Sequence, residues 1–596
     1  MDRVILEFRC HFIDKICILM DFHALNEEIP MVQNSMLFLS FLVLIDLYPQ
    51  STQTSNTVGR LLPPDAASLD QQVFRYLSFE PASLDIGLSL YQYSESEFLF
   101  ERLCMLNYNN DLIPGAADRW EVSDDELTWT FHLRKNAKWS DGRPVTAEDF
   151  EYSFKRFLHP DNGNVYASFY FDIKGAQAHI QRQNMNPESV GVTAIDEYTL
   201  QIETETPCAY LPYILAYPTS SPVPRWQIEK YGLKWTEPGR CVSNSSYQLE
   251  SWDIGQSMSF SLNPYYNGAL KGYLERIVRV FTEGGRSTGD IGLLAYENDE
   301  IDMTQVYPMD LGRIEGHPAM KDELAIFPRH MTTYLFFKTK EPPFNDIRVR
   351  QAFSHAIDRD RLTDTVLRRI AVPAYTMMPP GFPGYVGDKY KDIQQYDASR
   401  AKALLAEAGY PGGRGFPNLD LWTVNTRRIP TNTVSQAIQG MVQESLGINL
   451  KIRITESRSY RDAMNNWTIP ISIATFDYDF PDPHSLLGMV WRSKPKGIGR
   501  HDWANPEFDR LIDQASTTLE EDQRFNMYDQ AERILAEDVG GAFLFHSYAV
   551  RVRKPWTSGY PLDRLGYRPF YHNNSSWSDI YINNEVLSRR GFGLKN

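Results

Sequence analysis

Three carboxylates lie close together after an apolar run that is typical of a buried strand. The stretch FDYDFPDP, residues 476–483, contains Asp477, Asp479 and Asp482 and directly follows IPISIAT. Carboxylates at this spacing suit four kinds of site: a catalytic acid–base pair, a calcium loop, a solvated turn and a socket for a cation. The segments of the chain that position these side chains discriminate among the four kinds of site.

Two of these alternatives find little support along the chain. A calcium loop of the EF-hand kind requires a glycine turn and a distal glutamate, which FDYDFPDP lacks, and its two prolines stiffen the segment. A catalytic pair would place Asp477 and Asp479 on one face only if the strand continued, and the chain has no H-E-x-x-H zinc motif and no phosphate loop. We therefore expect no catalytic residue, no metal and no cofactor.

Composition predicts a large globular protein that does not bind nucleic acid. The chain has 596 residues, of which 42% are apolar and 13% aromatic, so several packed lobes are expected. A net charge of -16 argues against electrostatic binding to the phosphate backbone of nucleic acid. The five cysteines show no C-x-x-C spacing and predict neither a zinc site nor a dense disulfide framework; they are Cys10, Cys17, Cys104, Cys208 and Cys241.

The N-terminal segment suggests export. MLFLSFLVLI, residues 36–45, has the length of the apolar centre of a secretion signal, although no Lys or Arg lies between Lys15 and Arg60 and no small-x-small cleavage site follows. A plain buried segment is the alternative. We treat residues 1–60 as a signal region and linker, outside the folded body.

Residues 418–476 predict the elements that position the carboxylates. The segments 418–424, 449–455 and 469–476 have strand composition, and 431–447 has a helical pattern that ends at a glycine. Strand, helix and strand in this order predict a parallel pair. Ligands gather at the carboxyl ends of such strands, which is where DYDFPDP lies.

Several segments, in order along the chain, resemble the family 5 solute-binding proteins of ABC importers, best known as periplasmic oligopeptide- and dipeptide-binding proteins. The longest is WTFHLRKNAKWSDGRPVTAEDFEYSFKR, residues 129–156. The similarity extends from about residue 70 to the C-terminus. Further matching segments are SFEPASLD (78–85), YPTSSPVPRWQIEKYG (217–232), NSSYQLESW (244–252), NPYYNG (263–268), EPPFNDIRVRQAFSHAIDRD (341–360), AKALLAEAGYPG (401–412) and VRKPW (552–556).

The resemblance implies an α/β fold, a two-lobed clamp like the type II periplasmic binding proteins, with an additional third lobe. Two chain crossings, near 331 and 547, would form a hinge. Lobe I would comprise 66–113, 207–331 and 547–596, the extra lobe II 114–206, and lobe III 332–546.

The resemblance also implies roles for individual residues. In peptide-binding relatives an Asp at the position of Asp479 receives the α-ammonium group of the peptide, and in dipeptide binders an arginine near Arg427 holds the carboxylate, with neighbouring Arg428 as the alternative. The peptide itself would bind as an added strand. Residues expected to line it are Thr475, Phe476, Asp477 and Tyr478 from lobe III, and Tyr91 and Tyr93 of the segment 88–93 from lobe I.

The implied function is that of an exported, non-catalytic receptor. It would close on an extended peptide and deliver it to the membrane permease of an ABC importer, and we expect it to be a monomer. Two alternatives stay open: the same fold could bind an oligosaccharide, a nickel complex or haem, or the acidic cluster could serve a glycosidase.

Overall fold

The computed structural model describes residues 54–88, 96–107, 109–281, 288–424, 430–494, 499–559 and 575–586. The chain divides into two units, Met1–Thr54 and Ser55–Asn596, and the elements below belong to the second unit. The apolar stretch 36–45 lies outside the described residues, as do Cys10 and Cys17. None of the described helices is both long and apolar enough to cross a bilayer.

Nineteen strands are present in the described part of the chain, and eleven of them form one sheet. Its order is β15-β14-β16-β12-β17-β11-β1-β10-β9-β8, with β13 paired to β17. The strands are β1 Val73–Ser78, β2 Cys104–Leu106, β3 Leu112–Pro114, β4 Ala117–Val122, β5 Thr128–Leu133, β6 Val192–Asp196, β7 Thr199–Glu203, β8 Tyr247–Asp253, β9 Ser257–Leu262, β10 Arg276–Phe281, β11 Met303–Gln305, β12 Leu324–Phe337, β13 Ala371–Pro373, β14 Asp420–Val424, β15 Lys451–Thr455, β16 Ile471–Asp477, β17 Gly541–Arg553, β18 Thr557–Ser558 and β19 Tyr581–Ile582.

Helices of seven or more residues in the same ranges are α1 Ala147–Phe157, α2 Arg225–Tyr231, α3 Thr288–Glu297, α4 Ile347–His355, α5 Ala398–Glu407, α6 Thr431–Leu446, α7 Ser457–Asn465, α8 Pro506–Thr517 and α9 Glu521–Glu537. Shorter helical turns connect them: Leu69–Gln71, Ser96–Leu99, Pro160–Asn162, Val165–Tyr170, Ala176–Ile180, Pro187–Ser189, Leu211–Ile214, Pro218–Ser220, Gly232–Thr236, Leu311–Glu315, Met320–Glu323, Arg359–Arg361, Leu362–Val366, Lys391–Gln394, Pro411–Gly413, His484–Gly488, Met489–Trp491 and Ser575–Ser578.

Side chains at helix starts explain where the longer helices begin. Asp346 accepts a hydrogen bond from the backbone N–H of Arg348 and so caps α4, and the Thr146 N–H donates to Asp149 at the start of α1. These bonds satisfy N–H groups that a helix leaves without an internal partner.

The strand–helix–strand unit predicted from residues 418–476 is confirmed. β14 pairs in parallel with β15, and α6 connects them. β14 also pairs in parallel with β16, through Leu421–Ile471 and Trp422–Ser472. The carboxyl ends of β14 and β16 therefore lie at the same edge of the sheet.

Apolar clusters lie on both faces of the central strand β12, which explains its continuous apolar run. Successive side chains of a strand point to opposite faces. Leu335 and Phe337 of β12 belong to one apolar cluster and Tyr334 and Phe336 to another.

The longest strands, β12 and β17, pair with each other at the centre of the sheet. Their register shifts between Pro328 and Thr332 and again between Thr333 and Tyr334. Such irregularities bend a strand pair and interrupt its ladder. A separate four-stranded sheet, in the order β4-β5-β7-β6, lies within residues 117–203.

A buried carboxyl group on α9 makes the stability of the protein depend on pH. Glu532 is fully buried, and its Oε1 accepts a hydrogen bond of 2.9 Å from the backbone N–H of Met378. Burial raises the pKa of Glu532 from 4.5 to about 8, more than the surrounding hydrogen bonds lower it. The folded protein therefore keeps a proton that the unfolded chain has lost at neutral pH.

This proton gives a prediction for thermal stability. Because the folded-state pKa is raised, the contribution of Glu532 to stability is present below about pH 4.5 and is lost as the pH rises toward 8. Glu532→Gln carries an uncharged side chain of the same shape and should escape that loss. We expect the Tm of the variant, relative to the original protein, to rise between pH 5 and pH 8 in differential scanning calorimetry. A constant Tm difference over that range would contradict the assignment.

Candidate functional site

The three carboxylates at the end of β16 have three different surroundings. Asp477, the last residue of the strand, forms an ion pair with Arg329, whose Nη2 lies 2.5 Å from Oδ2. Met331 of β12 faces Asp477 in the ladder, which puts Arg329 within reach. The charge of Asp477 is thus compensated inside the protein.

Asp482 is also compensated. It is buried and forms an ion pair with Arg524 of α9. Its Oδ1 accepts a hydrogen bond of 2.9 Å from the backbone N–H of His484, where a short helical turn begins. Arg524 is itself buried. The Asp482–Arg524 pair therefore joins the loop after β16 to α9 and has a structural role.

Asp479 differs from both neighbours. Its side chain is partly buried. Among the described residues no cation lies within ion-pair distance of it. The pKa of Asp479 is raised from 3.8 to about 7: burial raises it most, the Arg500 charge lowers it and the Asp477 charge raises it. At neutral pH this carboxyl group lies near its midpoint of ionisation.

Aromatic side chains from earlier in the chain face Asp479. The hydroxyls of Tyr217 and Tyr166 hydrogen-bond to its carboxylate and lower its pKa. Their rings lie 5.4 Å apart, and Phe169 packs against Tyr166 at 4.9 Å and against Phe480 at 5.8 Å. These rings exclude water from one side of Asp479 without supplying a positive charge.

The other residues predicted from this segment lie at the end of β16 and directly before Asp479. The Thr475 hydroxyl is 3.0 Å from that of Thr333. The Phe476 ring lies beneath the guanidinium of Arg500, with 4.5 Å between Cζ and the ring centroid. Tyr478 is buried and packs against His330 at 5.0 Å. Tyr91, Tyr93, Arg427 and Arg428 lie outside the described residues.

The backbone of β16 has one edge that the described strands leave uncovered near its end. β12 pairs with Ile471–Asp477 along the whole strand, whereas β14 reaches only Ile471 and Ser472. Residues 474–477 therefore have a strand neighbour on one side only, within the ranges that the structure describes. A free edge of this kind is a template for another strand.

Three residues of this site were missed by the sequence analysis. Tyr217 begins one of the family-like segments, YPTSSPVPRWQIEKYG, and was not singled out within it. Tyr166 and Arg500 occur in stretches without a pattern that predicts ligand contact. Both reach Asp479 only through the tertiary fold. Among the described residues no group of three or more His, Cys, Asp or Glu side chains could hold a metal ion.

The site predicts different consequences for two neighbouring isosteric substitutions. Asp482→Asn leaves the buried Arg524 without its partner charge and should destabilise the protein by about 3 to 5 kcal/mol. Asp479→Asn removes a carboxylate whose ionised form is disfavoured in the folded state, so it should increase stability more at pH 8 than at pH 5. Urea unfolding at both pH values measures the difference. Equal destabilisation by both variants would make Asp479 a structural residue.

Comparisons with known proteins agree on one family. Residues 111–497 match the family described as bacterial extracellular solute-binding proteins, family 5 Middle. The chain is 31% identical to the periplasmic oligopeptide-binding protein OppA of Escherichia coli K12, over 80% of this chain and 87% of that protein. It is 29% identical to the probable deoxycholate-binding periplasmic protein YgiS of the same organism, over 84% and 93%. The solved structure of the Escherichia coli murein tripeptide binding protein MppA superposes with a TM-score of 0.70 at 29% identity, over 87% of this chain and all of that one.

Proposed function

The chain belongs to the bacterial extracellular solute-binding proteins of family 5, and we propose that it captures peptides at the end of β16 and delivers them to the permease of an ABC importer. The relatives named as oligopeptide- and murein tripeptide-binding proteins support a peptide ligand. Their periplasmic location supports action outside the cytoplasmic membrane.

The observation that carries this proposal is that Asp479 forms no ion pair with any cation of the described residues. An enclosed charge without a partner is costly. Asp477 and Asp482, two and three residues away, both have an arginine. In the proposed complex the α-ammonium group of the peptide supplies the missing charge to Asp479. The Tyr166 and Tyr217 hydroxyls keep the carboxylate oriented toward it.

The free edge of β16 suggests how the rest of the peptide binds. An extended peptide can add a strand beside residues 474–477 through main-chain hydrogen bonds, which gives affinity with little sequence preference. Thr475, Phe476, Asp477 and Tyr478 then line it from this lobe. Tyr91 and Tyr93 stay candidates for the opposite side.

For the far end of the peptide, Arg427 stays our candidate for the carboxylate, with Arg428 as the alternative. Both follow β14, which is parallel to β16, so the two strands end toward the same edge of the sheet. A planar guanidinium can bind both oxygens of a carboxylate.

We further propose that binding closes lobe III, residues 332–546, on lobe I, which comprises 66–113, 207–331 and 547–596, with 114–206 as the extra lobe. The two crossings lie within β12 and β17, where the register of their ladder shifts. A bent, interrupted strand pair is a suitable hinge. In this division Tyr217 and Tyr166 contact Asp479 from outside lobe III.

We propose no catalytic role. A glycosidase needs a second free carboxylate beside the raised-pKa acid, and the nearest one, Asp477, is bound to Arg329. G-R-S-T-G at 285–289 matches the short G-x-S-x-G pattern of serine hydrolases, but residues 282–287 lie outside the described ranges. A short match without a located acid and base is weak support.

Binding experiments test the role of Asp479. Asp479→Asn should weaken the binding of a free tripeptide by about 2 to 5 kcal/mol, because it removes the charge that meets the ammonium group. N-acetylation of the peptide should cost wild-type binding a similar amount. Titration calorimetry at pH 7.5 measures both.

The combination of the two changes is the internal control. Acetylated peptide should bind the variant and the wild-type protein about equally, because the interaction is already absent. Tight binding of acetylated peptide to the wild-type protein would point instead to a ligand without an ammonium group, such as a sugar or the bile acid in the name of one relative.

Closure gives a separate prediction. Small-angle X-ray scattering should show a smaller radius of gyration after a saturating peptide is added, because the closed state is the one that the ligand stabilises. Asp479→Asn with the same concentration of peptide serves as the control, and its radius of gyration should not decrease. An unchanged radius for the saturated wild-type protein would contradict the hinge.

A further inference from the structure

Arg500 is a second charged group near Asp479 that forms no ion pair with the described residues. Arg500 is partly buried, and its Cζ lies 4.5 Å from the centroid of the Phe476 ring. Among the described residues no carboxylate is within ion-pair distance of it, in contrast to Arg329 and Arg524. It hydrogen-bonds to the neutral hydroxyl of Tyr334, and its charge also acts on Asp479.

The ring of Phe476 orients this guanidinium. An arginine stacked on an aromatic face is held by cation–π attraction while the N–H groups at its edge stay available as donors. An arginine that only covered a surface would remain fully exposed or would pair with a nearby carboxylate. Arg500 does neither within the described ranges, so its remaining donors are available to an anion that the ligand brings.

Arg500 is close to the proposed ammonium site but does not neutralise it. Phe476 precedes Asp479 by three residues, so their Cα atoms are at most about 11 Å apart even in a fully extended chain. The Arg500 charge lowers the pKa of Asp479, yet no ion pair forms between them. A negative and a positive group thus lie near each other, and neither forms an ion pair within the ranges that the structure describes.

We propose that Arg500 binds a carboxylate that the ligand carries close to its α-ammonium group. This inference rests on the proposed function of Asp479 and narrows the substrate class. The carboxylate has two chemical sources: an acidic side chain near the N-terminus of the peptide, or the C-terminus of a dipeptide. In both cases the ligand brings opposite charges to Asp479 and Arg500 at once.

Two pairs of peptides test the proposal, each differing by one carboxylate. Ala-Glu-Ala-amide and Ala-Gln-Ala-amide report the acidic side chain, and Ala-Ala and Ala-Ala-amide report the C-terminus. For at least one pair, the wild-type protein should bind the carboxylate member roughly 10- to 100-fold more tightly, as expected for a charged hydrogen bond. The pair that shows the preference identifies the source.

Arg500→Gln should reduce that ratio to about one, and Arg500→Lys should retain part of it. Removing Arg500 also changes the charge state of Asp479, but this affects both members of a pair and cancels in the ratio. Arg510→Gln is the matched control, because Arg510 is an exposed cation on α8 paired with Glu507. It should leave the ratio unchanged.

The amide peptides also report folding, since Arg500→Gln should still bind them as the wild-type protein does at a pH where Asp479 is ionised. The proposal is wrong if the wild-type protein favours neither carboxylate peptide, or if Arg500→Gln keeps the preference. If the wild-type protein binds none of the four peptides, the proposed function fails and this inference fails with it. Binding of all four with equal affinity leaves the role of Asp479 intact and rejects only Arg500.

Discussion

The proposed site depends on Asp479, a partly buried carboxylate that forms no ion pair with any cation in the described part of the chain. Folding normally compensates buried charges, and this chain does so on both sides of Asp479, with Arg329 for Asp477 and Arg524 for Asp482. Because the ionised form of Asp479 is disfavoured, the pKa of this carboxyl group is raised to about 7. Residues that lower the stability of the free protein are typical of functional sites, where the bound ligand supplies the missing interaction.

The sheet explains why this carboxylate lies at the proposed peptide site. β16 pairs with β12 along its length but with β14 only at its start, so among the described strands its last residues have a neighbour on one side only, beside the loop of Asp479. β12 and β17 run through the centre of the same sheet, and their register shifts there. One sheet thus positions the anchor, offers a backbone for an added strand and contains the suggested hinge.

The sequence predicted the local elements of this arrangement well. Strand composition, the helix of residues 431–447 and its glycine stop located β14, α6, β15 and β16, because these signals depend on neighbouring residues. The position of DYDFPDP at the end of a parallel strand followed from the topology. The family resemblance then selected Asp479 among the three carboxylates.

The partners of these carboxylates could not be predicted. Arg329 precedes Asp477 by 148 residues, and Arg524 follows Asp482 by 42, so both pairs depend on how β12 and α9 pack in the tertiary fold. Tyr166, Tyr217 and Arg500 converge on Asp479 in the same way. Types and spacings of residues suggested a charged site, but only the fold distinguishes a compensated carboxylate from an uncompensated one.

Proton release on binding tests the central claim most directly. At pH 6 a carboxyl group with a pKa of about 7 is about nine-tenths protonated, and an ammonium group must displace that proton. Calorimetry of a tripeptide at pH 6 in two buffers of different ionisation enthalpy should show the release of nearly one proton by the wild-type protein and almost none by Asp479→Asn. Equal proton release by both proteins, or none by either, would contradict the claim that Asp479 binds the ammonium group of the ligand.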